Sequence, residues 1–292
     1  MKSQTIHFVG LGMMGYPMAA LLAKAGYALS VADTDVQRVS EFRAENPSTI
    51  DLQSGAPDIV ITMLPNSDIV ENVLLGDAGD NGLATRLKAG AIIIDMSSSE
   101  PLRSRALAQK LSALGLGFLD APVSGGMKRA VLGTLAIMAG GDQATYEACT
   151  EVLGKMGTTL FHVGGPGAGH AMKALNNYVS AAGLVAAVEA LQVGQRFGLD
   201  PAVMTDVINA STGRNNSTEN KVKQFMLSGT YNSAFSLQLM GKDLGIAMQL
   251  GKEMNYAMPL GDECRTVWAD AVARVGRNAD HTEMYHLLDQ KS

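Results

Sequence analysis

The stretch Thr5-Ile6-His7-Phe8-Val9-Gly10-Leu11-Gly12-Met13-Met14-Gly15 decides how the rest of the chain is read. A short run of strand length leads into glycines at positions 10, 12 and 15, and residues 15–25 then show apolar side chains at helical spacing. Strand, tight turn and helix in that order suit a pyrophosphate. The first glycine permits the turn, the second lets backbone approach the phosphates, and the third lets the helix pack closely on the strand. The helix start adds N–H groups and a positive dipole end. A second strand over 28–33 ends in Asp33, eighteen residues after Gly15. A carboxylate there accepts from ribose hydroxyls and repels a 2′-phosphate, which predicts NAD rather than NADP; Arg38 or a nearby lysine is the means by which a phosphate would still be met.

Beyond this turn the first half keeps alternating. Residues 59–63, 91–95, 117–120, 135–139 and 159–163 are apolar runs of strand length, and 101–114 and 143–156 have helical spacing. Such alternation predicts parallel strands joined by crossover helices, a doubly wound α/β domain of the Rossmann type. Gly164-Gly165-Pro166-Gly167-Ala168-Gly169 reads as a hinge. After it, an Ala-rich, proline-free segment from His170 to about Phe197 predicts a helix of roughly 40 Å. Residues 201–210, 237–254 and 259–275 read as further helices, with Pro201 and Pro259 in first turns. The expected organisation is an α/β cofactor-binding domain over 1–164, followed by an all-helical substrate and oligomerisation domain over 165–292.

Length and composition agree with this and exclude several classes. At about 150 residues per domain, 292 residues fit two domains. A chain that is 47% hydrophobic and 17% charged is not disordered. A net charge of −5 offers no field to attract nucleic acid or an anionic membrane. Cys149 and Cys264, far apart and without a CxxC pair, give no framework for disulfides or zinc and fit a reducing compartment. The uncharged run over 3–23 is broken by Gly10, Gly12, Gly15 and Pro17, which argues against an export signal. No other stretch reads as long and apolar enough to span a bilayer, so the expectation is a soluble, cytoplasmic protein. His162 and His170 flank the hinge without a carboxylate or cysteine at metal-ligand spacing and read as surface or capping residues; His281 and His286 read as structural. No metal site is expected.

Six motifs occur in order: Gly10 to Ala19, Thr62-Met63-Leu64-Pro65, Asp95-Met96-Ser97-Ser98, Asp120-Ala121-Pro122-Val123-Ser124-Gly125-Gly126, Gly169 to Asn177, and Lys242-Asp243-Leu244. With them the chain resembles, over essentially its whole length, the β-hydroxyacid dehydrogenases, the family of 3-hydroxyisobutyrate dehydrogenase and tartronate semialdehyde reductase. The more distant 6-phosphogluconate dehydrogenases carry a much longer helical region. The resemblance implies an NAD cofactor, with NADP possible, lying on Gly10, Leu11, Gly12, Met13, Met14, Gly15 and Asp33. It places Leu64 and Pro65 along the cofactor groove and Ser98 near the nicotinamide, serine standing where many members have threonine. Phe235 would pack over the nicotinamide and Lys242 would reach back to the cofactor. Ser124, Gly125 and Gly126 would hold a substrate carboxylate, a hydroxyl and glycine N–H groups making a compact anion cradle. Asp243 would support the site. Lys173 would transfer the proton, and Asn177 would orient it or the substrate hydroxyl.

The residues themselves give part of that chemistry a reason. Lys173 is the only lysine between Lys155 and Lys221, and Asn177 follows four residues later, on the same helix face. Asn176 competes, because spacing alone does not choose between i+3 and i+4. A lysine with its usual pKa of about 10.4 is a poor base near neutrality, so desolvation or nearby positive charge must lower it. Thr212-Gly213-Arg214-Asn215-Asn216-Ser217 is a polar run in which Arg214 or Asn216 faces substrate, or which is an ordinary interhelical loop. Within the family, 3-hydroxyisobutyrate is the first expected substrate and tartronate semialdehyde with glycerate the second. The rival of another class is a dinucleotide-binding scaffold without catalysis. Loss of Lys173 or of the Ser124-Gly125-Gly126 cradle would mark it, and both are present. An Ala-rich long helix with few charges needs burial on several sides, which predicts a homodimer or homotetramer.

Overall fold

A computed structural model describes residues 4–51, 56–77, 81–276 and 278–289. The chain divides into two compact units, one ending at Lys173 and one beginning at Ala174.

The first unit runs β1 (Thr5–Val9), α1 (Gly15–Lys24), β2 (Ala28–Ala32), α2 (Val36–Glu45), β3 (Ile59–Thr62), α3 (Ser67–Leu75), β4 (Ile92–Asp95), α4 (Pro101–Ala113), β5 (Gly117–Asp120), β6 (Val123–Ser124), α5 (Gly126–Leu132), β7 (Leu135–Gly140), α6 (Gln143–Leu153) and β8 (Gly157–Gly164). The sheet order is β2-β1-β3-β4-β5-β7-β6, with β8 also on β7. Strands β1 to β5 pair in parallel. Their apolar runs are buried on both faces, as in Phe8, Ile61 and Ile93, because helices cover both sides.

The far edge corrects the expectation of parallel strands throughout. β7 runs antiparallel to both β5 and β6, and β8 is parallel to β7. Only Ala121 and Pro122 separate β5 from β6, and the short α5 follows; neither link is long enough for a parallel crossover. The helices α2 and α5 carry no strong periodic signal, whereas α3 buries Ser67, Val70 and Leu74 at helical spacing. α2 buries only Phe42 and α5 only Ala130, so their starts are set by turn geometry and by caps such as Asp35; Asn66 caps α3.

One register has consequences for the site. Thr62, Asp95 and Asp120 end β3, β4 and β5 and are in-register partners. In a parallel sheet such partners lie side by side on one face, about 5 Å apart.

The helix α7 (Ala168–Phe197) begins in the first unit and continues into the second, where α8 (Pro201–Asn209), α9 (Asn216–Asn220), α10 (Leu237–Glu253), α11 (Pro259–Val275) and α12 (Met284–Asp289) follow. A π-helical turn over Val222–Met226 follows α9. Leu184, Val188 and Leu191 of α7 pack with Leu237, Leu244, Trp268 and Met284 in the core of this unit. Among the described residues its strand-like pairing is one bridge between Ser236 and Asp280. At 30 residues, about 45 Å, α7 is long and apolar enough to cross a bilayer by length and composition, which corrects the expectation that no such stretch follows the amino terminus. Of its apolar window, 44% is buried inside the protein.

Candidate functional site

The glycine turn is shaped by close approach. Gly10 has φ +101°, and a Cβ there would run into the Met63 carbonyl; a Cβ on Gly15 would run into the Gly10 carbonyl. A Cβ on Gly12 would meet nothing within 4 Å, so this stretch of backbone faces open space where a pyrophosphate fits. Met13 is exposed and Leu11 is buried in the core. The Leu11 N–H donates to Asp33 Oδ2 at 2.6 Å and the Asp35 N–H to Asp33 Oδ1 at 2.9 Å. Burial pushes the Asp33 carboxyl up, but these N–H groups and the Thr34 hydroxyl outweigh it and hold the group below the usual carboxylate range. Asp33 is thus an anion at neutral pH, fixed beside the turn. Arg38 donates through Nε to the Leu11 carbonyl at 2.5 Å and lies 4.9 Å over the Tyr16 ring, so a cation sits next to that anion.

At the carboxyl ends of the central strands the polar groups are bonded to one another. Asp95 accepts from the Thr62 hydroxyl at 2.9 Å, the Ser99 hydroxyl at 2.9 Å and the Ser97 N–H at 3.1 Å. The Leu64 N–H donates to Ser97 Oγ at 2.9 Å. Asp120 accepts from the N–H groups of Gly167 at 2.7 Å and His170 at 2.8 Å. Burial pushes the Asp120 carboxyl up, against the pull of His170 and those N–H groups. A Cβ on Gly169 would run into the carbonyls of Met138 and Asp120. A Cβ on Gly167 would likewise run into the Pro101 carbonyl, so glycine at these two positions permits close approach to the sheet and to α4.

His170 corrects the sequence reading. It is 1% exposed and lies between two buried carboxylates, Nδ1 at 3.7 Å from Asp120 and Nε2 at 3.8 Å from Asp95. Its ring bonds go to the Ser97 carbonyl at 3.0 Å and the Ser104 hydroxyl at 2.8 Å. Asp95, Asp120 and His170 lie inside three of the sequence motifs, which give them no role, and the structure brings them together. The signal available was an acid closing an apolar strand, the same signal that singled out Asp33. His162 is half-buried, stacked on Tyr146 and bonded to the Gly141 carbonyl.

Lys173 is half-buried in the second turn of α7, and Asn177 follows one turn later. Asn177 is buried and its amide donates to Asp243 Oδ2 at 2.5 Å; only the NH2 end of an amide can face a carboxylate, which settles its orientation. Asn176 donates in turn to Asn177 Oδ1 at 3.1 Å. Ser124 ends β6, and Gly125 and Gly126 both have positive φ, which favours glycine at this turn. Ser98 is half-buried, and the hydroxyl that holds the Leu64 N–H is that of its neighbour Ser97. Phe235 packs edge-on against His281, with ring centroids 5.6 Å apart. Lys242 is half-buried on α10 beside buried Asp243. Arg214 is exposed and pairs with Glu219 at 3.2 Å, while Asn216 opens α9 behind an Asn215 capping box.

The strand order, the open glycine turn and the acid beside it define an NAD(P)-binding domain of the Rossmann class. Comparison with known proteins carries this further. A family model for the NAD binding domain of 6-phosphogluconate dehydrogenase matches residues 5–164. A model for NAD-binding of NADP-dependent 3-hydroxyisobutyrate dehydrogenase matches residues 167–288. The chain is 39% identical over 251 residues to 2-(hydroxymethyl)glutarate dehydrogenase of Eubacterium barkeri, covering 85% of this chain and 82% of that one. It is 38% identical over 253 residues to 3-hydroxyisobutyrate dehydrogenase of Pseudomonas aeruginosa, covering 83% and 84%. The solved structure of Mycobacterium tuberculosis 3-hydroxyisobutyrate dehydrogenase with L-serine matches with a TM-score of 0.88 at 31% identity, over 98% and 99% of the two chains. The chain belongs to the β-hydroxyacid dehydrogenase family, NAD(P)-dependent oxidoreductases that act on the CH–OH group of small hydroxy acids.

Proposed function

We propose that this enzyme oxidises 3-hydroxyisobutyrate to its semialdehyde with NAD, Lys173 acting as general acid/base. The observation that carries the reading is the placement of Lys173. It lies one turn after a helix start that Asp120 and His170 hold at the carboxyl ends of the strands, where doubly wound sheets bind their ligands. NAD, held at the Gly10–Gly15 turn, would supply the hydride acceptor. Lys173, as the free amine, takes the hydroxyl proton; in the reverse direction its ammonium returns a proton to the forming alkoxide. Asn177, its amide oriented by Asp243, positions the lysine or the substrate hydroxyl. Ser124, Gly125 and Gly126 hold the substrate carboxylate through a hydroxyl and backbone N–H groups. Leu64, Pro65, Ser98, Phe235 and Lys242 serve the cofactor, and this part of the reading rests on the family resemblance.

A second substrate reading has its own support. The compounds in the relatives' names, 3-hydroxyisobutyrate, L-serine and 2-(hydroxymethyl)glutarate, all carry a primary alcohol one carbon beyond the carbon that bears the carboxylate. Glycerate, the reduction product of tartronate semialdehyde, has the same skeleton. NADH formation from these acids, each with NAD and with NADP, tests the reading. The highest kcat/KM is expected with 3-hydroxyisobutyrate and NAD; a preference for glycerate supports the second reading. If no acid turns over while NADH still binds, the chain is a dinucleotide-binding scaffold. Asp33→Ala is expected to reduce the preference for NAD over NADP by roughly 10- to 100-fold, the worth of hydrogen bonds to a charged group.

On the same reading the functional boundary falls near residue 164, and the enzyme is a cytoplasmic homodimer or homotetramer. Val179, Val193 and Phe197 stand exposed along α7, which supports an assembly through that helix. Light scattering of the purified protein tests the subunit number.

A further inference from the structure

We infer that His170 is a positioning residue of the reaction, a buried cross-tie that fixes the start of α7, and with it Lys173, to the loops that follow β3 and β4. The inference rests on the reading of Lys173 as the acid/base.

The argument begins with the sheet. Asp95 and Asp120 are in-register neighbours with almost no exposure, and two buried carboxylates repel unless their surroundings compensate. Each is bonded by local donors, Asp95 by Thr62, Ser97 and Ser99, and Asp120 by the N–H groups of Gly167 and His170. The His170 ring stands between them at 3.7 and 3.8 Å, too far for a good hydrogen bond to either. Its bonds run sideways. Nε2 faces the Ser97 carbonyl and therefore donates, and Nδ1 meets the hydroxyl of Ser104 on α4. Ser97 in turn holds the Leu64 N–H through its own hydroxyl.

One side chain thus joins three segments, the loop after β4, the first turn of α4 and the first turn of α7, and Ser97 extends the tie to the loop after β3. The backbone N–H of the same residue is fixed by Asp120. Lys173 follows three residues later, on the adjoining part of the same helix face. A histidine present only to fill the core must also pair its ring nitrogens, but nothing requires those partners to lie on the loop after β4 and on α4. A histidine that holds the proton-transfer group in register with the cofactor loops requires all of them.

The test compares His170→Leu, His170→Gln, Lys173→Ala and the double variant His170→Leu/Lys173→Ala. Steady-state kinetics use NAD and 3-hydroxyisobutyrate, or whichever acid of the panel turns over fastest, and NADH affinity is read by fluorescence on the same preparations. A displacement of about 1 Å at a reacting group lowers the rate roughly 100-fold, so His170→Leu is expected to lower kcat by about 30- to 100-fold. KM and the NADH Kd should stay within about threefold, since binding surfaces are untouched. His170→Gln, whose amide can still donate to the Ser97 carbonyl, should recover most of the loss. The double variant should be no slower than Lys173→Ala, because His170 acts only through Lys173.

Unchanged kcat in His170→Leu overturns the proposal. So do losses that multiply in the double variant, or a kcat loss matched by equal loss of NADH affinity. If Lys173→Ala keeps wild-type kcat, the acid/base reading itself fails. An inactive Lys173→Ala beside an unaffected His170→Leu overturns the positioning role alone. Should His170→Leu not fold, Ser104→Ala removes only the Nδ1 partner and carries the same test, with an expected kcat loss of about fivefold for one neutral hydrogen bond.

Discussion

His170 and His281 are each 1% exposed, yet the first lies between two carboxylates at the strand ends and the second lies between one carboxylate, Asp280, and a lysine in the helical unit. The His281 Nε2 is 2.7 Å from Lys221 Nζ, and its Nδ1 lies 2.8 Å from the Phe235 carbonyl and 3.1 Å from the Ser233 hydroxyl. A ring nitrogen facing an ammonium accepts, and one facing a carbonyl donates. His281 therefore carries its proton on Nδ1, whereas His170 carries one on Nε2. Burial first, and then the Lys221 charge, hold the His281 pKa down to about 4, against the Phe235 carbonyl and Asp280. Burial also holds Lys221 down to about 8, against Asp280. The comparison teaches that burial alone does not tell a packing histidine from one that serves a reaction. What a buried ring is bonded to, and which element those partners belong to, makes the distinction.

The sharpest way to break this comparison is through the two lysines. Lys173→Ala should lower kcat by about 1000-fold, within the range usual for a lost general acid/base, while NADH binding persists. Lys221→Met should leave kcat close to wild type. Comparable losses in both would mean that the helical unit's cluster also serves the chemistry. Next in size is Asp120→Asn. An amide cannot accept both N–H groups that the carboxylate holds, so one donor loses its partner, and stability should fall by about 1–3 kcal/mol as read by thermal melting.

The pH dependence of stability is expected to be smaller and to carry opposite signs at the two sites. His281 binds its proton more weakly when folded, about 4 against 6.5. Between those values the unfolded chain holds the extra proton, so this contribution is complete above pH 6.5 and is lost as the pH falls towards 4. His7, also held to about 4 by burial, acts in the same direction in the first unit. Asp120, raised by burial, acts in the opposite sense, its contribution being lost as the pH rises through its folded value. Thermal melting at pH 7 and at about pH 4.5 should show the acid side less stable, and His281→Gln should shrink that difference. The smallest effect should be electrostatic alone. In Lys221→Met the His281 pKa, followed by NMR titration, should rise towards its ordinary value because a neighbouring positive charge is gone. No movement would show that burial alone holds it down.

Much of the fold is legible from local pattern. The glycines at 10, 12 and 15 and Asp33 announce a dinucleotide turn because φ preference, close approach and strand length all act over a few residues. The spacing of Lys173 and Asn177 is visible for the same reason, since one helical turn is a local period. Asp243 emerged only through a motif, and its bond to Asn177 spans 66 positions. That bond also shows what spacing could not, namely which of two adjacent asparagines is buried and oriented. The antiparallel edge was misread because alternation of elements does not record how short a connection is.

Taken alone, the amino-acid sequence determined the class of fold and the cofactor turn, because each depends on backbone conformation and periodicity within a few turns or strands; the candidate acid/base followed from the family resemblance of the Gly169 to Asn177 motif. The tertiary structure alone decided that Asp95 and Asp120 stand side by side, that His170 fills the space between them, and that its ring bonds Ser97 and Ser104. These contacts join residues 25 to 75 positions apart, and they follow from the register of a parallel sheet. Register is set by how whole strands and helices pack, a property that no single segment contains.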